Sequence, residues 1–336
     1  MAKRKYSNST KIQPAVQKLW FAVPNWDGVS ADDTRHHIDL SQCASLVNRR
    51  FYRQGVNWAV ANMTLHVVNQ YGQQYVKPGQ SVSVNKLPNT WVMSNSWEKV
   101  FRAWKRQQDE TLEDGTQESV RAKFNDFKIY MNDHHHSATF TRNLLPLGHT
   151  GGEWEAAQIV IPNYGSPGVN YEPYLMAVGP DVGGAGGTIG MIEAYANSRS
   201  VPQSPDPVAG AGVLNTANHL RAMFDVGDNN EDILENVVDK NNDLPYPQLD
   251  YIGGAVQAPG LEIHSYWNTP LTSVGTRFQM GGGTFPCGLI EVQSNITLYA
   301  SDDYSGNPLE NTFSFLEVTL VPGTHRGYLC EPMTEM

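Results

Sequence analysis

Apolar residues in this chain fall mostly on alternate positions, in short runs bounded by Gly, Pro, Asn and Asp. Alternation of this kind predicts half-buried β-strands, because successive side chains of a strand point to opposite faces. Lys18 to Val23 is the first candidate. Val56, Trp58 and Val60, followed by Met63, Leu65 and Val67, predict one long strand with a bulge where the phase slips. Phe127 to Met131, Ala138 to Leu145, Trp154 to Ile161, Tyr174 to Val178, Thr188 to Tyr195, Leu261 to Tyr266, Leu289 to Tyr299 and Thr312 to Val321 continue the series.

A few stretches follow the helical period instead. From about Ser41, Cys43, Ala44, Leu46, Val47 and Phe51 mark one face, with Arg49, Arg50 and Arg53 beside it and Gly55 as the stop. Asn95 with Glu98 resembles a capping box, and Trp97, Val100, Phe101 and Trp104 recur behind it among Lys99, Arg102, Lys105 and Arg106. Leu214 to Phe224 and Glu231 to Val238 are shorter helical patterns. Gly179 to Gly190 and Pro202 to Gly212 read as loops.

So many strands with long connections and few helices predict an all-β chain, a β-sandwich whose loops have grown. Residues 1–15 are polar and aperiodic and read as a flexible basic arm. Residues 16–336 then form the sandwich, with residues 197–260 as a possible projecting region. Charged residues make up 17%, below the usual quarter, as suits a folded, loop-rich and aromatic-rich protein. Cys43, Cys287 and Cys330 form an odd, widely spaced set, which indicates neither a disulfide framework nor a thiolate metal site. The early apolar stretch Leu19 to Val23 is too short for a signal peptide, and no run reaches the roughly 20 residues of a membrane span.

Charge divides the chain unevenly. Residues 1–142 hold 19 of the 24 Lys and Arg against 12 Asp and Glu, whereas the remainder holds 5 basic and 22 acidic residues. Lys3, Arg4, Lys5, Lys11 and Lys18 all precede the first acid, Asp27. Such an arrangement predicts one face toward a polyanion and another toward solvent. Tyr6, Trp20, Tyr52, Trp97 and Trp104 are interleaved with the cations and offer rings on which bases stack.

The candidate chemistry is thinner. His134 and His136, next to Asp133, would share a face on a strand, like the His-x-His element of a cupin metal site. The Glu such a site requires is absent from Ser137 to Asn143. Asp32, Asp33, His36 and His37 form a second, looser group. The acids from Asp225 to Asp232 lack the order of a calcium loop, and the glycines from Gly183 to Gly190 fit no phosphate-loop pattern. The expectation is therefore a non-enzyme with no cofactor, no metal site and no catalytic residue. A carbohydrate-binding or attachment module, and a cupin-like metal-dependent enzyme, are the alternatives.

Trp26-Asp27-Gly28, Asp32-Asp33, Arg35-His36-His37-Ile38-Asp39-Leu40-Ser41 and Asn48-Arg49-Arg50-Phe51-Tyr52-Arg53-Gln54-Gly55 resemble the capsid proteins of smacoviruses, small viruses with circular single-stranded DNA. Pro322-Gly323 and His325-Arg326-Gly327-Tyr328-Leu329-Cys330-Glu331-Pro332-Met333 resemble the ending of the same family. The resemblance implies a single jelly-roll subunit, about sixty copies of which close a T=1 icosahedral shell around single-stranded DNA. It places the chain in a virion assembled in a host cell, with the arm inward, and without membrane insertion. The implied partners are further copies of the chain and the DNA genome, with an unknown host receptor. The implied contacts are non-sequence-specific, through Lys3, Arg4, Lys5, Lys11 and Lys18, and further through Arg49, Arg50 and Arg53. Five arm charges in sixty copies sum to about 300, short of a packaged genome, so those arginines or bound cations must supply the rest.

Five phosphate contacts predict that log affinity for single-stranded DNA falls with log salt at a slope of about −3.5. Filter binding at several salt concentrations measures it. A slope unchanged by deletion of residues 1–18 would refute the role of the arm.

Overall fold

A computed structural model describes residues 14–26, 34–67, 75–114, 125–137, 143–151, 154–162, 170–182, 187–199, 260–269, 276–304, 306–309 and 312–333. Eight strands carry the architecture: β1 (Lys18–Pro24), β2 (Arg35–Asp39), β3 (Val56–Val67), β4 (Ser81–Lys86), β5 (Glu262–Asn268), β6 (Thr276–Phe285), β7 (Leu289–Ser294) and β8 (Phe313–Leu320). One sheet has the order β1-β8-β3-β6 and the other β5-β4-β7-β2, and every pairing within them is antiparallel. The chain is thus predominantly β, as its alternation predicts.

The pairings are nested. The first strand pairs with the eighth, the second with the seventh, the third with the sixth and the fourth with the fifth. β8 joins β1 to β3, and β7 joins β2 to β4. Every connection except that between β4 and β5 therefore passes from one sheet to the other.

Alternation explains which face each strand buries. In β8, Ser314, Leu316, Val318 and Leu320 are buried while their neighbours are half-exposed, and in β1 Leu19, Phe21 and Val23 are buried. Both sheets contribute to a single core, in which Trp58, Met63, Leu65, Phe278 and Leu316 of the first meet Ile38, Val82, Val84, Ile290 and Val292 of the second. The phase slip expected in β3 falls at Ala61, where the register with β8 jumps from Asn62 to Val60. A tight approach requires glycine opposite it, since a Cβ on Gly282 would stand 2.3 Å from the Ala61 carbonyl oxygen.

The described residues between β4 and β5 add a second layer. Helix α2 (Trp91–Asp114) runs alongside α4 (Met191–Arg199), with the short helix α3 (Asp133–Ser137) between them in sequence. Val92, Val100, Ile129, Ile159, Leu175, Ile189 and Met191 bury against Leu87 and Leu289, on the side of β7 turned away from the sandwich core. β7 is consequently buried on both faces, and Leu289, Ile290, Glu291 and Val292 are each at most 3% exposed. No helix among the described residues is long and apolar enough to cross a membrane.

Several expectations need correction. The first helix, α1 (Leu40–Asn48), ends at Asn48, because Arg49 adopts the left-handed cap conformation (φ 54°) and returns its N–H to the Ser45 carbonyl. Arg49, Arg50 and Arg53 therefore lie in the loop beyond it. α2 begins at Trp91 rather than Asn95, and the Thr90 hydroxyl accepts a hydrogen bond from Met93 N. His134 and His136 lie on α3 and not on a strand. Thr188 to Tyr195 divides into a three-residue strand and α4. Phe127 to Met131 contributes only a bridge from Tyr130 to Met176. β2, β4 and β6 lie outside the predicted strands: polar residues interrupt β2 and glycines β6, and β4 alternates over only Val82 and Val84. The helical patterns at Leu214 to Phe224 and Glu231 to Val238, and the loop Pro202 to Gly212, lie outside the described residues.

The corner from β6 into β7 turns on Cys287 and Gly288, both at positive φ (56° and 69°). A Cβ on Gly288 would approach Trp58 Cδ1 to 2.7 Å. Gly288→Ala is expected to destabilise by more than about 1 kcal/mol, from backbone strain together with displacement of the fully buried Trp58 ring. Urea denaturation followed by tryptophan fluorescence measures the loss.

Candidate functional site

The cations of the α1 exit loop converge with a residue from the far end of the chain. Tyr52 Oη donates to the Arg326 carbonyl at 3.0 Å, and the Arg326 guanidinium donates to the Phe51 carbonyl. Arg49, Arg50, Arg53 and Arg326 are all exposed. The pKa of His325 is lowered, by burial first and then by the positive charges of Arg326 and Arg53. That of Tyr52 is raised by burial against the lowering effect of Arg50 and Arg326. The charges thus share one corner of the molecule.

Val16 and Gln17, at the start of the described residues, reach the same corner. Val16 N donates to Asn48 Oδ1 at 3.0 Å, Gln17 Nε2 donates to the Gly327 carbonyl at 3.1 Å, and Tyr328 Oη donates to the Val16 carbonyl at 2.6 Å. Lys3, Arg4, Lys5 and Lys11 lie outside the described residues. Lys18 belongs instead to the outer face of the first sheet. Its Nζ stands 2.7 Å from Glu317 Oε1, and this hydrogen bond leads the causes that hold the Glu317 carboxyl below its usual range. Of the predicted contacts, then, the structure brings Arg49, Arg50 and Arg53 to the corner that Val16 and Gln17 reach and pairs Lys18 with an acid.

Beside this corner lies a cleft of about 250 Å³ whose walls include Arg53, Trp97, Phe101, Phe127 and His325. Trp97 and Phe101 stack at 5.1 Å, and Phe127 meets both rings edge-on. Among the described residues, the buried Trp97 Nε1 has no hydrogen-bond partner. A guanidinium next to an aromatic wall suits a flat ring such as a nucleobase. On α2, Arg102 and Arg106 pair with Glu98 and Glu110 one turn away, and Lys99 lies over the Tyr195 ring. Those cations are accordingly less available than the ones at the corner.

A second constellation is buried where β2 and β7 meet the added layer. His37 and Glu291 are directly opposed across the strands, and Asn85 of β4 lies opposite Glu291 on its other side. His37 Nε2 is 3.2 Å from Glu291 Oε2, Asn85 Nδ2 donates to Oε1 at 2.8 Å, and Asn132 Nδ2 donates to Oε2 at 2.9 Å. Burial pushes the Glu291 carboxyl up, but the hydrogen bond and charge of His37, with the two amides, outweigh it and pull the pKa down to about 2. His36, on the other face of β2, is lowered to about 4 by burial and then by the charge of His37. His134 of α3 lies over His37, with ring centroids 5.5 Å apart.

The neighbouring Asp39 is fully buried and caps α1. Its Oδ1 accepts from Ser41 N, Ser41 Oγ and Gln42 N, and its Oδ2 accepts from Trp154 Nε1 at 2.7 Å. Burial still raises its carboxyl above the ordinary value. Two histidine groups that stand apart in the sequence thus meet through some of their members: His37 faces Glu291, and His134 and His135 lie against His37.

No family model, curated protein or solved structure matches this chain. Arg326 and Glu291 are the site residues that sequence reasoning missed. Arg326 lies in the acidic portion of the chain, far in sequence from the other arginines, and Glu291 reads as one polar position in an apolar run. The adjacent motif His325-Arg326-Gly327-Tyr328 was the available signal for the former.

A carboxyl whose folded pKa is depressed contributes stability that is complete above its unfolded value, near 4.5, and lost as pH falls toward about 2. The stability gap between the wild type and Glu291→Gln should therefore narrow on acidification through that window. Urea midpoints measured in the presence of a chelator check this, and a constant gap would refute the assignment.

Proposed function

We propose that this chain is the structural subunit of a small closed shell that packages circular single-stranded DNA, with its two sheets forming a jelly roll. The observation that carries this reading is the nested antiparallel pairing of eight strands across two sheets, the strand arrangement of a ribbon rolled into a double-sheet sandwich. The resemblance of the Arg35-to-Gly55 and Pro322-to-Met333 segments to smacovirus capsid proteins points the same way. T=1 geometry and about sixty copies are what that resemblance implies.

The basic corner supports the DNA role. Beside Val16 and Gln17, Arg50, Arg53 and Arg326 combine charge for phosphates with an adjacent aromatic cleft for unstacked bases, the pairing of features that single strands require. Contacts of this kind are indifferent to sequence, because phosphate and ring faces are common to all nucleotides. In a shell this corner faces inward.

Self-association has its own support. β5 is the edge of its sheet and carries Ile263, Tyr266 and Trp267 at 67%, 57% and 41% exposure. An edge strand with exposed apolar side chains is a surface suited to a second protein chain. The same exposed Tyr266 and Trp267 favour a second reading, a carbohydrate-binding or attachment module, which would remain a monomer or small oligomer.

Electron microscopy of the purified protein separates the two. Closed shells of uniform size are expected, abolished in an Ile263→Asp, Tyr266→Asp variant that retains its far-ultraviolet circular dichroism. Wild-type protein found only as monomers or small oligomers refutes the shell subunit. Normal shells from the double variant would refute β5 as the contact.

A further inference from the structure

We infer that His37, His134 and Glu291 form a binding site for a transition-metal dication of the zinc type. One ligand atom from each of the three lies within 4.8 Å of the others. Two imidazoles and one carboxylate are a donor set that favours zinc, cobalt or nickel over calcium and magnesium, which prefer oxygen alone. Three protein ligands leave a fourth tetrahedral position open to water.

The distances suit such an ion. Two ligands bound at zinc distances with tetrahedral angles stand roughly 3.3 Å apart. His37 Nε2 and Glu291 Oε2 already stand 3.2 Å apart. Both residues are set by strand register rather than by a loop, since they are opposed across the β2·β7 ladder. Inward movement is needed only from His134, on the five-residue helix α3.

The surroundings hold the ligands as a metal site requires. Asn85 and Asn132 donate to the two oxygens of Glu291 and fix the plane of the carboxylate. Asn132 also accepts from His135 N at 2.9 Å, so one side chain ties the start of α3 to the carboxylate that α3 faces. His135 stacks flat on His37 at 4.3 Å and 6°. Its Nδ1 accepts from Met131 N at 3.1 Å, so its Nε2 carries the proton and donates to Asn143 Oδ1 at 2.9 Å. His135 is thereby a wall of the site, whereas His134, half-buried, is the ligand that α3 supplies.

The consequence is mechanical: an ion would fasten α3, part of the added layer, to two strands of the sandwich. This inference does not depend on shell formation or DNA binding.

The test is titration of the chelator-treated full chain with Zn²⁺ and with Co²⁺. One equivalent per chain is expected, with a rise in melting temperature reversed by chelator and the visible absorption of four-coordinate Co²⁺. His134→Ala should weaken binding at least tenfold while His136→Ala leaves it unchanged. X-ray absorption of the zinc-loaded wild type, which needs no variant to fold, should report two imidazoles and carboxylate oxygen. Absence of stoichiometric binding, affinity indifferent to His134→Ala, or sulfur in the zinc shell would each overturn the proposal.

Discussion

Because β7 and the neighbouring part of β2 are covered on both faces, every polar group they turn away from the sandwich core must find its partner inside the protein. A buried carboxylate left without hydrogen bonds is strongly unfavourable. Glu291 escapes this by receiving His37, Asn85 and Asn132, and Asp39 by receiving Ser41, Gln42 and Trp154. These partners come from both sandwich and added layer, so the two acids define how the layer sits on the sheet. Around them the packing is apolar, with Leu289 directed into the second layer and Ile290 into the first core.

The fold class was legible because alternation survives wherever one face of a strand is buried, as in β1, β3 and β8. It failed in three particular strands. β2 reads Arg-His-His-Ile-Asp, since its outer face buries polar residues that are satisfied only in three dimensions. β6 contains Gly281, Gly282 and Gly283, which read as a loop yet permit close approach to β3 at Ala61. β4 alternates valine with small polar residues in a segment too short to stand out. Helix boundaries failed for a local reason, the left-handed cap at Arg49, which no apolar period announces.

Site residues divide in the same way. Arg49, Arg50 and Arg53 were visible as a cluster because they are adjacent in sequence. Their connection to Arg326 depends on the Tyr52 and Tyr328 hydrogen bonds, which link segments with no periodic relation. The charge split along the chain is therefore only partly a split in space: a residue of the acidic portion completes the basic corner, while Lys18 of the basic portion faces Glu317.

The nested pairing also governs when the molecule can become itself. β1 finds its ladder only in β8, and Lys18 and Glu317 are 299 positions apart. During synthesis the first strand must therefore wait, its apolar Leu19, Phe21 and Val23 uncovered, until nearly all the chain has left the ribosome. The charges that flank this strand, at Lys18 and in the arm before it, are well placed to keep it from premature association in that interval. A fold built this way completes its first sheet last, so the surfaces of that sheet exist only once its first and eighth strands have met.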